Sequence, residues 1–209
     1  VVDTYVTGSL LREHRQEIID GVVLSLRTPL GGLIGQTTLA EVSSADRLNE
    51  LNFEMGLAAF SQGVMVNNIG KVLVQCLERE NRFDDVLMPY ARMLASDAFA
   101  VPLYGLMNGS IDTLIRFGQD AQQRLFITDW KSNRLDEDGM AYVIDGYSRE
   151  SMVNAMEHHH YPLQALIYGT AVHRYLRSRA GSGKPLPSIA GMDYFFIRGM
   201  VGEPTPTEN

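Results

Sequence analysis

The spacing of apolar positions changes several times along the chain, and each change marks a predicted element. Over 9–27 (SLLREHRQEIIDGVVLSLR) they fall at Leu10, Leu11, Ile18, Ile19, Val22, Val23 and Leu26. That is the stripe of a helix which stops before Thr28-Pro29-Leu30-Gly31-Gly32. Over 45–55 (ADRLNELNFEM) the period drops to two. It predicts a strand with Asn49, Leu51, Phe53 and Met55 on one face and Leu48, Glu50, Asn52 and Glu54 on the other. Segments 67–78 and 82–95 read as helical or loop-bound connections, and Pro89 leaves the second open between the two. GSIDTLIRF, the polar break GQDAQQ and RLFITDWKSN then read as a β-hairpin. After the acidic stretch RLDEDGMAYVIDG comes a helix over 148–159, capped by Ser148 with Glu150 or Ser151 in its first turn. Pro162 opens a further helix over 162–179. The connection 181–187 precedes MDYFFIRGM, an aromatic-rich run that predicts a buried strand.

With 209 residues, 45% of them hydrophobic, the chain supports one good core. The expected organisation is an N-terminal helical arm over 1–44, an α/β core over 45–201 with a mixed central sheet flanked by helices, and a disordered tail over 202–209. The start at Val1-Val2 without Met suggests a piece of a longer protein. Cys76 is the single cysteine, so no internal disulfide forms, and no leader-like segment is evident; a cytoplasmic setting is expected. No apolar run approaches the roughly 18 residues of a membrane span. The net charge of −7 weighs against a protein that binds nucleic acid over its whole surface. It leaves room for a site whose carboxylates hold a cation.

The hairpin supplies such a site. If Phe117 pairs with Arg124, antiparallel register carries Asp112 to a place opposite Asp129, and alternation puts Lys131 on the same face. Two like charges at ~4 Å repel by ~4 kcal/mol at an effective dielectric of ~20, so a cation or a proton must accompany them. Oxygen ligands without His or Cys beside them favour Mg2+, or Mn2+, which bind phosphate oxygens and retain waters. Such an ion polarises a phosphate and acidifies a bound water, while Lys131 positions that water or neutralises the pentavalent state. If its strand lies beside the hairpin, Glu50 is open between a metal ligand, direct or through water, and a proton acceptor. A D-x-K alone is short and common, and more often an ordinary surface pair; the register and the upstream Asp112 change that weighting.

Gly109-Ser110-Ile111-Asp112, Ile127-Thr128-Asp129-Trp130-Lys131-Ser132-Asn133 and Gln164-Ala165-Leu166-Ile167-Tyr168 resemble, in order and spacing, the G-x-I-D, D-Y-K-[ST]-N and Q-x-x-x-Y motifs of RecB-type nucleases in the PD-(D/E)xK superfamily. The similarity covers 47–200. It implies a restriction-endonuclease-like core and metal-dependent DNA hydrolysis. It also implies Asp112, Asp129 and the backbone carbonyl of Trp130 as metal ligands, Lys131 as the catalytic lysine and Glu50 as the strand acid. Gln164 and Tyr168, one helical turn apart, are implied to support the site or contact DNA. Implied partners are single strands of DNA delivered by a helicase and RecC-like and RecD-like subunits, in double-strand break repair and recombination. Trp130 stands where the family has Tyr. The family's upstream metal-binding His has no matching position, and His14 lies too close to Glu50 to take its role, so weak metal binding and weak cleavage by this piece alone are expected.

Three adjacent histidines, His158-His159-His160, point in different directions on a helix and suit a surface or helix boundary better than a metal site. Gly181-Ser182-Gly183-Lys184-Pro185 lacks the spacing of a phosphate loop, so no ATP site is expected in this piece. Arg174, Arg177, Arg179 and Lys184 fit DNA backbone and a solvated helix end equally well. The expected function is metal-dependent cleavage of DNA. Its rivals are a catalytically silent DNA-binding or subunit-contact module of the same fold and a stand-alone RecB-like exonuclease.

Overall fold

The computed structural model describes residues 12–32, 34–57, 64–118, 123–135, 144–180 and 186–204. The expected turn at 119–122, most of the acidic stretch after Asn133, the connection 181–185, the end of the tail and the first residues of the N-terminal helix lie outside them. The fold is α/β, built on a mixed four-stranded sheet in the order β3-β6-β7-β8 and compatible with a restriction-endonuclease-like core. In chain order the elements are α1 (Arg15–Arg27), β1 (Pro29–Gly31), β2 (Gly35–Thr38), β3 (Arg47–Gly56), β4 (Val64–Met65), α2 (Val66–Arg79), α3 (Met88–Leu94), β5 (Pro102–Leu103), β6 (Leu106–Phe117), β7 (Arg124–Lys131), α4 (Arg149–His158), α5 (Tyr161–Arg179) and β8 (Ser188–Phe196). They form two compact units, one of 1–51, 111–153 and 182–209, the other of 52–110 and 154–181.

In the first unit, β6 and β7 pair antiparallel from Phe117↔Arg124 to Thr113↔Thr128, the register the sequence predicts. β8 lies parallel to β7, with Asp129 beside Tyr194 and Trp130 beside Phe195; parallel neighbours require a long connection, here the one carrying α4 and α5. One face of this sheet contributes Ile115 and Phe195 to a core with Leu30, Val42 and Met200, and Ile34, Leu39, Phe117 and Trp130 pack against it. The ribbon β1–β2, absent from the sequence reading, supplies Leu30 and Ile34. It follows α1 directly because Thr28 ends that helix: its hydroxyl donates to the Leu24 carbonyl at 3.0 Å and accepts the Gly202 N–H at 2.8 Å. The aromatic run MDYFFIRGM is only partly strand. β8 stops at Phe196, and Ile197–Gly199 form a 3-10 turn, where Arg198 donates to the Ser132 carbonyl at 2.9 Å and Met200 enters the core.

In the second unit α2 and α3 pack through Leu77, Met88 and Ala91. Pro89, which leaves this segment open in the sequence, lies in the helix Met88–Leu94. It sits in the first turn of α3, where a helix has no use for its missing N–H. α4 begins as expected, with the Ser148 hydroxyl accepting the Ser151 N–H at 3.2 Å. Gly70 in α2 faces the end of α3 so closely that a Cβ would lie 2.3 Å from the Ala95 backbone nitrogen.

Two stability outcomes follow. Backbone cannot yield as a side-chain tip does, so Gly70→Ala should cost about 1–3 kcal/mol, read as a lower urea midpoint. Asp193 in β8 has a buried Oδ2 without a hydrogen-bond partner, and burial raises its carboxyl pKa above the ordinary range. Folding then favours protonated Asp193, so its contribution to stability falls as pH rises from the ordinary carboxylate pKa, about 3.9, through the raised value. Asp193→Asn should flatten that fall in urea melts taken from about pH 4 to pH 7.

Candidate active site

The β6–β7 pairs run as far as Thr113↔Thr128, and Asp112 and Asp129 are the next residue on each strand. They are near enough for the Asp112 charge to act on the Asp129 carboxyl. Alternation along β7 adds Lys131, whose Nζ lies 2.6 Å from Asp129 Oδ2. Asp129 is only 3% exposed. Its burial pushes the carboxyl pKa up, the hydrogen bond and charge of Lys131 pull it down, and Asp112 adds a further upward push. The three groups therefore form one electrostatic unit. Lys131 Nζ also stands 5.3 Å from the centre of the Tyr194 ring, on the neighbouring strand.

Trp130 is held from three directions. Its backbone N–H donates to Asp112 Oδ2 at 2.9 Å, its indole N–H donates to Thr113 Oγ1 at 3.3 Å, and its ring stacks on Phe195 at 5.1 Å. The indole thus belongs to the core face, and Asp129 and Lys131 on either side of it face the other way. Where the family pattern has Tyr, this chain fills its core with Trp.

Glu50 does not follow the simple alternation expected of its strand. From Leu51 to Glu54 exposure alternates as predicted, but Glu50 itself has φ +53°, a left-handed conformation that costs a non-glycine residue about 1–2 kcal/mol. Strict alternation would turn Asn49 and Glu50 to opposite faces. With this kink, Arg47, Asn49 and Glu50 line one open cleft of about 390 Å3 together with Asp112, Thr113 and Trp130. Asn49 is fixed there by a hydrogen bond from Thr113 Oγ1 at 3.3 Å. Strained backbone of this kind concentrates where a side chain must be re-aimed.

Glu50 and Asp112 therefore share a cleft, and Asp112, Asp129 and Lys131 share a sheet face. Among the described residues no three His, Cys, Asp or Glu side chains come close enough to hold one ion. The donor set still suits a hard divalent cation, because Mg2+ is commonly held by one or two carboxylates with water and substrate phosphate completing the shell. His14 is at the start of α1 in a local 2.8 Å pair with Glu17. His159 stacks on Tyr161, and His160 contacts Tyr90 through its Nδ1 at 3.2 Å and Phe99 edge-on, and these two lie at the exposed boundary between α4 and α5 as expected.

Gln164 and Tyr168 lie in the second unit, where the Gln164 side-chain amide donates to the Tyr168 hydroxyl at 2.9 Å. The Tyr168 ring meets Phe53 edge-on at 5.9 Å. Phe53 in turn lies against Gly109, where a Cβ would come within 2.6 Å of the ring. A larger residue in place of the glycine of the G-x-I-D run would have to displace the tip of the Phe53 ring. Sequence reading missed Arg47, Asn49 and Tyr194 as neighbours of the site. Period two pairs Arg47 with Asn49, but nothing local signals the kink that brings Glu50 beside them.

Fold and site together define an α/β domain of restriction-endonuclease-like type with an Asp-Asp-Lys cluster at the open end of its hairpin. No family model matches the chain. It is 38% identical over 185 residues to the RecBCD enzyme subunit RecB of Mycobacterium tuberculosis, an alignment covering 86% of this chain and 16% of the relative. The RecB subunit of Mycolicibacterium smegmatis is 36% identical over 184 residues, again 86% of this chain and 16% of the relative. That of Escherichia coli is 36% identical over 99 residues, 47% of this chain and 8% of the relative. The chain is a RecB-related domain, spanning 16% of the length of the mycobacterial relatives it matches. No helix among the described residues is long and apolar enough to cross a membrane.

Glu50→Gly relieves the positive φ, whereas Glu50→Ala does not. The glycine variant should gain stability by about 1 kcal/mol over the alanine variant, measured as a difference in urea midpoint, with cleft chemistry sacrificed in both.

Proposed function

We propose that this domain hydrolyses phosphodiester bonds of DNA as the C-terminal nuclease part of a RecB-type helicase-nuclease acting in double-strand break repair and recombination. The observation that carries this reading is the convergence of Asp112, Asp129 and Lys131 on one sheet face in a chain related to RecB. The substrate would be single-stranded DNA delivered by a motor, with RecC-like and RecD-like subunits as partners and Mg2+, or Mn2+ in its place, as cofactor.

Asp112, Asp129 and the Trp130 carbonyl would hold the ion, which supplies polarisation of the scissile phosphate and a water acidified toward neutrality. Lys131, already anchored on Asp129, orients the attacking water and offsets charge that grows on the phosphate oxygens. Glu50, on the wall of the cleft shared with Asp112, accepts a proton or completes the cation's shell through water. Asp112 also fixes the Trp130 backbone, so one carboxylate sets both the ligand geometry and the strand that carries Lys131.

The test is cleavage of single-stranded DNA with Mg2+ or Mn2+ by the wild type, Asp112→Asn and Lys131→Gln, with circular dichroism as the check on folding. Asn at 112 keeps an oxygen for the Trp130 N–H, and Gln at 131 keeps a donor for Asp129. Each variant should lose activity on the order of a hundredfold or more. A folded wild type that binds DNA and cuts it with neither metal, both alone and in a version extended upstream, would make this a silent DNA-binding module. Undiminished cleavage by both variants would remove the cluster from the chemistry.

A further inference from the structure

The cleft beside Asp112 contains a cation that the proposed chemistry does not use. Arg47, at the start of β3, is half-buried and lines the cleft with Asn49, Glu50 and Asp112. The acid next to it in sequence, Asp46, is taken by Arg116, whose Nε and Nη2 both donate to Asp46 Oδ1 at 2.9 and 2.8 Å. Arg47 makes no hydrogen bond or ion pair with any described residue, Glu50 and Asp112 included. Asn49 spends its carbonyl oxygen on Thr113, which leaves its amide NH2 as a second donor on the same wall.

A guanidinium held partly out of water and unpaired beside two carboxylates is a poor device for stability, since exposed or half-exposed ion pairs contribute little and this one is not even formed. It is a good device for an anion: its planar fork matches two phosphate oxygens, and its charge is fixed at any working pH. In a chain of net charge −7, an approaching polyanion needs a local cation at the site itself.

We propose that Arg47, assisted by the Asn49 amide, binds a backbone phosphate of the DNA strand adjoining the one to be cut, and so sets the strand in the cleft. This rests on the nuclease reading above. Its role is binding and positioning, distinct from that of Lys131 at the reacting phosphate.

Fluorescence anisotropy with labelled oligothymidine in EDTA tests this without any metal chemistry. Arg47→Gln should weaken binding about tenfold, as loss of one charged hydrogen-bonded contact does. It should also reduce the slope of log Kd against log salt by about 0.7, the share of one single-strand phosphate. Arg47→Lys should keep the salt slope. In the Mg2+ cleavage assay, KM for Arg47→Gln should rise more than kcat falls. As a measurement that needs no variant, phenylglyoxal should modify Arg47 in the free protein, and oligothymidine should shield it, read by mass spectrometry. Unchanged affinity and salt slope in Arg47→Gln, or equal labelling with and without DNA, would overturn the proposal. Failure of the nuclease reading shows separately, as absence of metal-dependent cleavage in the wild type.

Discussion

Asp112 and Asp129 lie just past the last β6–β7 pair, Thr113↔Thr128, and the proximity of these two like charges shapes what surrounds them. The Asp112 carboxylate accepts the Trp130 N–H between Asp129 and Lys131, and Asp129 is almost wholly removed from water. Lys131 answers the problem in the resting protein by closing on Asp129. An ion pair so placed gains little net stability, because desolvation consumes most of the attraction. In the proposed function, its value would be a site left charged and preorganised for phosphate and cation.

The rest of the first unit keeps that geometry rigid. Trp130 interrupts the charged face with an indole that stacks on Phe195 and hydrogen-bonds Thr113, so β7 cannot roll. Parallel β8 places Tyr194 beside Asp129 and under the Lys131 ammonium. The strained backbone at Glu50 then gathers three successive polar positions of β3 onto one cleft wall, at a cost in stability that a purely structural strand would have no reason to bear. The acidic net charge agrees with this concentration of carboxylates, with cationic recognition confined to a few placed side chains.

In the second unit the motif residues pack against one another. Gly109, Phe53, Tyr168 and Gln164 form one contact chain, linking runs of sequence that stand far apart. Tyr90 and His160 do the same around the start of α5, and burial raises the Tyr90 phenol above its ordinary pKa.

Much of this was legible in the sequence because it depends on short-range rules. The period of two in β6 and β7, with a polar break between them, determined the register and hence the nearness of Asp112 to Asp129. Ser148 and Pro162 marked helix starts through groups that a first turn requires. Tertiary structure decided the remainder. Pro89 could begin a helix only because α3 starts one residue before it, and MDYFFIRGM bends at Ile197 because Arg198 and Met200 find partners in the surrounding fold. The kink at Glu50 is invisible to a pattern of alternation, since a left-handed residue in a strand survives only where neighbouring strands and the cleft hold it. For the same reason no pattern in the sequence signalled Arg47 at the site. Whether a charged side chain is paired or free depends on which distant residues, here Asp46 and Arg116, have already chosen one another.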